Sequence, residues 1–194
     1  RWRHPEMGFI SPAKFIPLAE RIGVIGTIGD WVLAEGCRQA ATWMRQGQIP
    51  RIMSINVSPA QILAAGFVEK VRKSLRTAGL SPKHLCLELT ESMFVGSKYA
   101  ETVVVLETLA KDGVQLSLDD FGTGYSSLSY LSKLPFHSIK IDRSFVADAH
   151  TTERKTGMLR SIAQMIHTLG MTSVAEGAET AEEVALLHRL QIGK

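Results

Sequence analysis

The chain has 194 residues, 45% of them hydrophobic and 21% charged, with a formal net charge of +3. That length suits one domain with a sizeable core, and the balance excludes disordered and fibrous classes. Apolar runs of only a few residues exclude a membrane-spanning helix, and scattered Lys and Arg argue against DNA or RNA while still suiting a small anionic ligand.

Taken in chain order, helical and strand patterns alternate. Ser11 and Pro12 start a predicted helix over 12–21. A second spans about 29–46, with Trp31, Val32, Ala34, Cys37, Ala41 and Met44 at apolar spacing. "RIMSINVS" reads as a strand ending near Asn56. A helix over 67–78 is closed by Gly79, and "HLCLELTES" is a strand ending near Glu88. Residues 97–112 form a helix closed by Gly113, and "VQLSLDD" is a strand ending at Asp119. A short helix over 126–133 leads to "SIKID", a strand ending near Lys140. A helix over about 152–169, the strand "TSVAEGAE" ending at Glu176, and a helix capped by Thr180 with Glu183 complete the pattern. Cys37 and Cys86 fall in a helix and a strand, which predicts buried thiols in a reducing compartment. The six His residues show no zinc-binding spacing.

Five strands, each followed by a helical segment, predict parallel β–α units. Asn56, Glu88, Asp119, Lys140 and Glu176 stand at or near the carboxyl ends of these strands, 32, 31, 21 and 36 residues apart. In a barrel of such units those ends converge on one face, where active sites are built. Taken singly, each residue has a plain reading: a solvated Asp-Asp turn, an Asn helix cap, a surface lysine, or first-turn acids at Glu88 and Glu91. Together they require five coincidences. Glu88, Asp119, Asp120 and Glu176, with Glu179 nearby, cannot all stay ionised without cations. Hard oxygen ligands favour Mg²⁺, Mn²⁺ or Ca²⁺. Two ions about 3.5–4 Å apart suit phosphodiester hydrolysis, and a lysine among them can hold water or neutralise the transition state.

The motifs "RWRHP" (1–5), "FIPLAE" (15–20), "NVSP" (56–59), "ELTES" (88–92), "DDFGTGYSSL" (119–128), "IKID" (139–142) and "AEGAET" (175–180) run the length of the chain. The sequence resembles the EAL domain, the family of cyclic-di-GMP-specific phosphodiesterases. The resemblance implies an α/β fold, an eight-stranded (β/α) barrel of TIM-barrel type with one antiparallel strand, and hydrolysis of cyclic di-GMP to linear pGpG. It implies two Mg²⁺ or Mn²⁺ ions held by Asn56, Glu88, Asp119, Asp120, Glu176 and Glu179. Lys140 is similar to the family's catalytic lysine, and Glu91 to the glutamate that steadies the loop after the paired aspartates. Arg1 and Ser58 are the candidates for substrate contact. The resemblance also implies a cytoplasmic homodimer, free or as the cytoplasmic part of a membrane-anchored protein, with flanking sensor or diguanylate cyclase domains.

Residues 1–194 read as a single EAL-type domain, incomplete at both ends. By the family pattern the signature glutamate, a metal ligand, would stand four places before Arg1. The first strand, most of the second and the last strand would also lie outside the sequence. Two other readings stand beside the enzyme: a catalytically inactive module that binds cyclic di-GMP or a protein partner, and an unrelated divalent-ion barrel enzyme.

Overall fold

A computed structural model describes residues 2–48, 52–94, 98–122 and 131–193. At the amino end, β1 (Trp2–His4) and β2 (Gly8–Ile10) form an antiparallel hairpin of their own. The remaining strands, β3 (Met53–Asn56), β4 (Leu85–Thr90), β5 (Gln115–Phe121), β6 (Ser138–Ile141) and β7 (Thr172–Ala175), make one sheet in chain order. Each neighbouring pair is parallel. Beyond β7, Gly193 bridges to Val174 in parallel, so the sheet continues past its fifth strand.

The helices are α1 (Pro12–Arg21), α2 (Ile25–Arg45), α3 (Pro59–Ile62), α4 (Phe67–Ala78), α5 (Tyr99–Lys111), α6 (Arg143–Val146), α7 (Glu153–Thr168) and α8 (Ala181–Arg189). Parallel neighbours require a crossover: α3 and α4 lie between β3 and β4, α5 between β4 and β5, and α6 and α7 between β6 and β7, while α1 and α2 precede the sheet and α8 follows it. The result is an α/β arc of β–α units, the layout of part of a TIM-type barrel. The antiparallel barrel strand is not among the five. Most of the helix predicted over 126–133 lies outside the described residues.

Side-chain alternation divides the sheet into two faces. Leu85, Leu87 and Leu89 on β4, Leu116 and Leu118 on β5, and Ile139 and Ile141 on β6 are fully buried. They belong to one core with Leu75 of α4, Leu106 and Leu109 of α5 and Leu159 and Ile166 of α7. The alternate positions are Cys86 and Glu88, Ser117 and Asp119, and Ser138 and Lys140. On that opposite face the Ser138 hydroxyl lies 2.9 Å from that of Ser117, within hydrogen-bond distance, and charged groups lie toward the strands' carboxyl ends. Cys37 and Cys86 are both free thiols and both buried.

Two departures from the sequence reading have local causes. Helix α2 begins at Ile25 rather than near Gly29. Gly29 lies inside it, and its missing side chain is required there, since a Cβ would lie 1.8 Å from Gln61 Nε2 of α3. Strand β5 runs on to Phe121, past the Asp119 end that was predicted, and its register with β6 shifts between Leu118 and Phe121.

Candidate active site

The register shift in β5 resolves what two adjacent carboxylates can do. On a regular strand Asp119 and Asp120 would point to opposite faces. Here Asp120 adopts φ 54°, a left-handed conformation that Asp tolerates better than most residues. The irregular strand end and the turned backbone bring both carboxylates toward Glu176, and one oxygen of each lies within 4.8 Å of the others. The Asp120 N–H donates to Asp119 Oδ1 at 3.0 Å, which fixes the pair. Desolvation, then the negative charges of Asp119, Asp142 and Glu176, push the Asp120 carboxyl above its usual range, against the pull of Lys140.

Lys140 reaches the same place from β6. Its Nζ lies 3.0 Å from Glu88 Oε2, 3.0 Å from Asp119 Oδ1 and 2.6 Å from Glu176 Oε1. Burial alone would lower its pKa, but hydrogen bonds with Glu176, Glu88 and Asp119 outweigh it and hold the ammonium above its ordinary range. Glu88 of β4, Asp119 and Asp120 of β5, Lys140 of β6 and Glu176, the residue after β7, thus meet in a single cluster. Asn56 ends β3 directly opposite Glu88 in the register and is exposed.

Glu91 opens a 3₁₀ turn (Glu91–Phe94) just beyond β4 and is 4% exposed. Its Oε1 accepts the Gly122 N–H at 2.9 Å, across the gap to the turn that follows the aspartate pair. Ser58 caps α3 in a reciprocal box with Gln61. Glu179 is exposed and 3.0 Å from Arg143 Nη1, outside the group formed by Asp119, Asp120 and Glu176. Arg1 lies outside the described residues.

Some contacts at the site have no direct signal in the sequence. Asp142 caps α6 by accepting from Ser144 N at 2.9 Å, and the Ser144 hydroxyl and amide hold its carboxyl below the usual range. Glu183 completes a capping box with Thr180, which the spacing announces. Its carboxylate also accepts the Asp148 N–H at 2.9 Å and the Glu179 N–H at 2.8 Å, tying two loops together, which no spacing announces.

The donor set fits a divalent cation. Three carboxylate oxygens converge, all are hard ligands, and the charge they concentrate already perturbs Asp120. Asp119 and Glu176, two of the three, also contact the Lys140 ammonium.

A family model described as the EAL domain matches residues 1–193. The chain is 43% identical over 190 residues to the bifunctional diguanylate cyclase/cyclic di-GMP phosphodiesterase MucR of Pseudomonas aeruginosa, a match that covers 98% of this chain and 28% of that protein. It is 40% identical over 187 residues to the cyclic di-GMP phosphodiesterase NbdA of the same organism, covering 96% and 24%. Among solved structures it is similar to the PaMucR phosphodiesterase in its c-di-GMP complex, with a TM-score of 0.92 and 42% identity, covering 100% of this chain and 78% of that one. The EAL enzyme Bd1971, bound to cAMP and cyclic-di-GMP, superposes with a TM-score of 0.91 at 30% identity, covering 100% and 53%. The chain therefore spans about a quarter of the length of these two curated relatives.

Proposed function

The chain belongs to the EAL-domain family, and on that premise we propose that it hydrolyses cyclic di-GMP to linear pGpG. The observation that carries the reading is the convergence of Glu88 of β4, Asp119 of β5 and Glu176, just past β7, on the Lys140 ammonium. One phosphodiester bond opens, and one water is consumed. The water oxygen joins phosphorus, a ribose 3′ oxygen leaves, and that oxygen ends as a hydroxyl.

Asn56, Glu88, Asp119, Asp120, Glu176 and Glu179 are the proposed ligands of two Mg²⁺ or Mn²⁺ ions. When bound, the ions would supply positive charge to the phosphate and an acidified water. The chain's own groups do the rest. Lys140, kept protonated by its three carboxylates, offers fixed positive charge to the developing oxyanion. Glu91 holds the turn after the aspartates through Gly122. Ser58 and Arg1 are the proposed contacts to substrate. Residues 1–194 act as one domain of a cytoplasmic protein, with sensor or cyclase domains alongside and a second copy as partner. Among the described residues no helix is long and apolar enough to cross a membrane.

The test is incubation of the purified full chain with cyclic di-GMP and Mg²⁺ or Mn²⁺, followed by chromatography of the products. Metal-dependent appearance of pGpG is expected. Binding of cyclic di-GMP without any pGpG would overturn the enzyme reading in favour of an inactive binding module.

A further inference from the structure

The four-residue helix α6 does not contribute a carboxylate to the cluster, yet it touches both turns that do. It follows β6 immediately, and Asp142 ties it to the strand end: Asp142 Oδ1 accepts from Ser144 N at 2.9 Å, and its carbonyl accepts from Phe145 N at 3.0 Å. Val146 anchors it in the core at 1% exposure. The two side chains of interest then meet glycines. The Phe145 ring lies against Gly122, where an added Cβ would stand 2.3 Å from Phe145 Cε2. The aliphatic stem of Arg143 lies against Gly177, where an added Cβ would stand 2.6 Å from Arg143 Cγ.

Those two glycines occupy particular places. Gly122 is two residues after Asp120, and Gly177 directly follows Glu176. Both have left-handed backbones, φ 98° and φ 70°. At each, a side chain packs straight onto main chain with nothing between them. Both glycines and Arg143 lie at the surface and Phe145 is half-buried, so each contact sets how closely side-chain bulk can approach the backbone of the turn. The Gly177 side is reinforced. Arg143 Nη1 lies 3.0 Å from Glu179 Oε1, and Glu183 links the N–H groups of Glu179 and Asp148 across the same junction.

We propose that the Arg143–Val146 turn is a positioning element: a wedge whose Phe145 and Arg143 set the distance between the Asp119/Asp120 carboxylates and the Glu176 carboxylate. Because the wedge is joined to β6, it also fixes both turns relative to Lys140. The proposal rests on reading the strand-end acids as a divalent-cation site. It assigns Phe145 and Arg143 to spacing, through packing, and assigns neither to contact with substrate. For Arg143 the working part is the stem over Gly177 rather than the guanidinium, which is the feature that separates a wedge from an ordinary surface ion pair.

Four variants of the full chain test it: Phe145→Ala, Phe145→Leu, Arg143→Ala and Arg143→Met. Mn²⁺ alone is titrated against each, with binding read by electron paramagnetic resonance. Amide exchange at 120–122 and 176–178 and the thermal unfolding midpoint are read in parallel. A misplacement of about 1 Å in a preorganised site has large consequences. Phe145→Ala and Arg143→Ala should therefore weaken Mn²⁺ binding at least tenfold and speed exchange beside the truncated residue. Phe145→Leu and Arg143→Met, which keep bulk against the glycine, should stay within threefold of the parent. Parental Mn²⁺ affinity and exchange in both alanine variants would overturn the wedge. Equal weakening by Arg143→Met and Arg143→Ala would also overturn it, since charge rather than packing would then be responsible. If Phe145→Ala does not fold, the half-exposed Arg143 pair decides. If the parent binds no Mn²⁺, the metal reading fails, and the exchange data alone decide whether α6 spaces the two turns.

Discussion

Truncating Glu91 removes an acceptor from a buried position and leaves its donor behind. Glu91 Oε1 takes the Gly122 N–H at 2.9 Å, and the residue is 4% exposed. A hydrogen bond to a charged partner contributes about 1.5–3 kcal/mol. With about 2 kcal/mol lost, local opening at Gly122 becomes roughly 30-fold more frequent in Glu91→Ala, since about 1.4 kcal/mol is a factor of ten. Glu91→Gln keeps the shape and one acceptor but forms a neutral bond about half as strong. Its loss of about 1 kcal/mol corresponds to roughly fivefold. The rest of β5 is held by Leu116 and Leu118, both fully buried and untouched by either change, so the sheet stays folded. Native-state hydrogen exchange resolved at residues 119–122 reads the ratio directly. Protection at Gly122 within twofold of the parent in Glu91→Ala would refute the bracing argument, whatever happens to activity.

Three further outcomes are expected. Lys140→Ala should lower turnover by about 10²–10³-fold with little change in substrate binding, measured as separate kcat and KM on cyclic di-GMP; unchanged turnover would make the lysine a bystander. Burial pushes both thiols up to about 11, with the nearby Glu88 charge adding to the effect at Cys86. An aromatic disulfide reagent at pH 8 should therefore detect neither cysteine in the folded protein and both after unfolding in guanidinium. Three backbone N–H groups, from Asp148, Glu179 and Thr180, hold the Glu183 carboxyl down to about 2. A depressed carboxylate stabilises the fold above its unfolded pKa of about 4.3 and loses that contribution as pH falls toward the folded value. The gap in unfolding midpoint between the parent and Glu183→Gln should thus be full at neutral pH and close below that range; a gap independent of pH would reject the linkage.

Local signals placed the elements well wherever the chain marks its own boundaries. The helix over 12–21 begins where Pro12 says it should, and the helix over 67–78 ends where Gly79 does. The strand ends at Asn56, Thr90 and Ile141 fall beside the polar residues that aimed attention at them. What the sequence concealed depends on neighbours. The irregularity in β5 is a mismatch of register with β6, so Asp119–Phe121 looks like the close of an ordinary strand until its partner is in place. The hairpin of Trp2–His4 with Gly8–Ile10 has strands of three residues, too short for alternation to register. Helix α6 is a single turn, below the length at which periodicity carries information, and it joins Phe145 to Gly122, 23 residues before it, and Arg143 to Gly177, 34 residues after it.

The order of strands in the sheet has a kinetic meaning. Chain order and spatial order coincide from β3 to β7, so each strand pairs with the one made immediately before it. Every closure then spans one β–α unit of some twenty to forty residues, and loop entropy grows only slowly with length, so no single step imposes a much larger barrier than the rest. A ribosome delivering this chain from its amino end can add units to a growing edge one at a time. Glu88 meets Asp119 first. The strand bearing Lys140 docks next, which brings the ammonium to two acids already side by side before β7 adds Glu176 as a third. Charge is thereby compensated directly after the first two acids meet and before the third arrives, so the order in which the site's groups are synthesised spaces its like charges around the Lys140 ammonium.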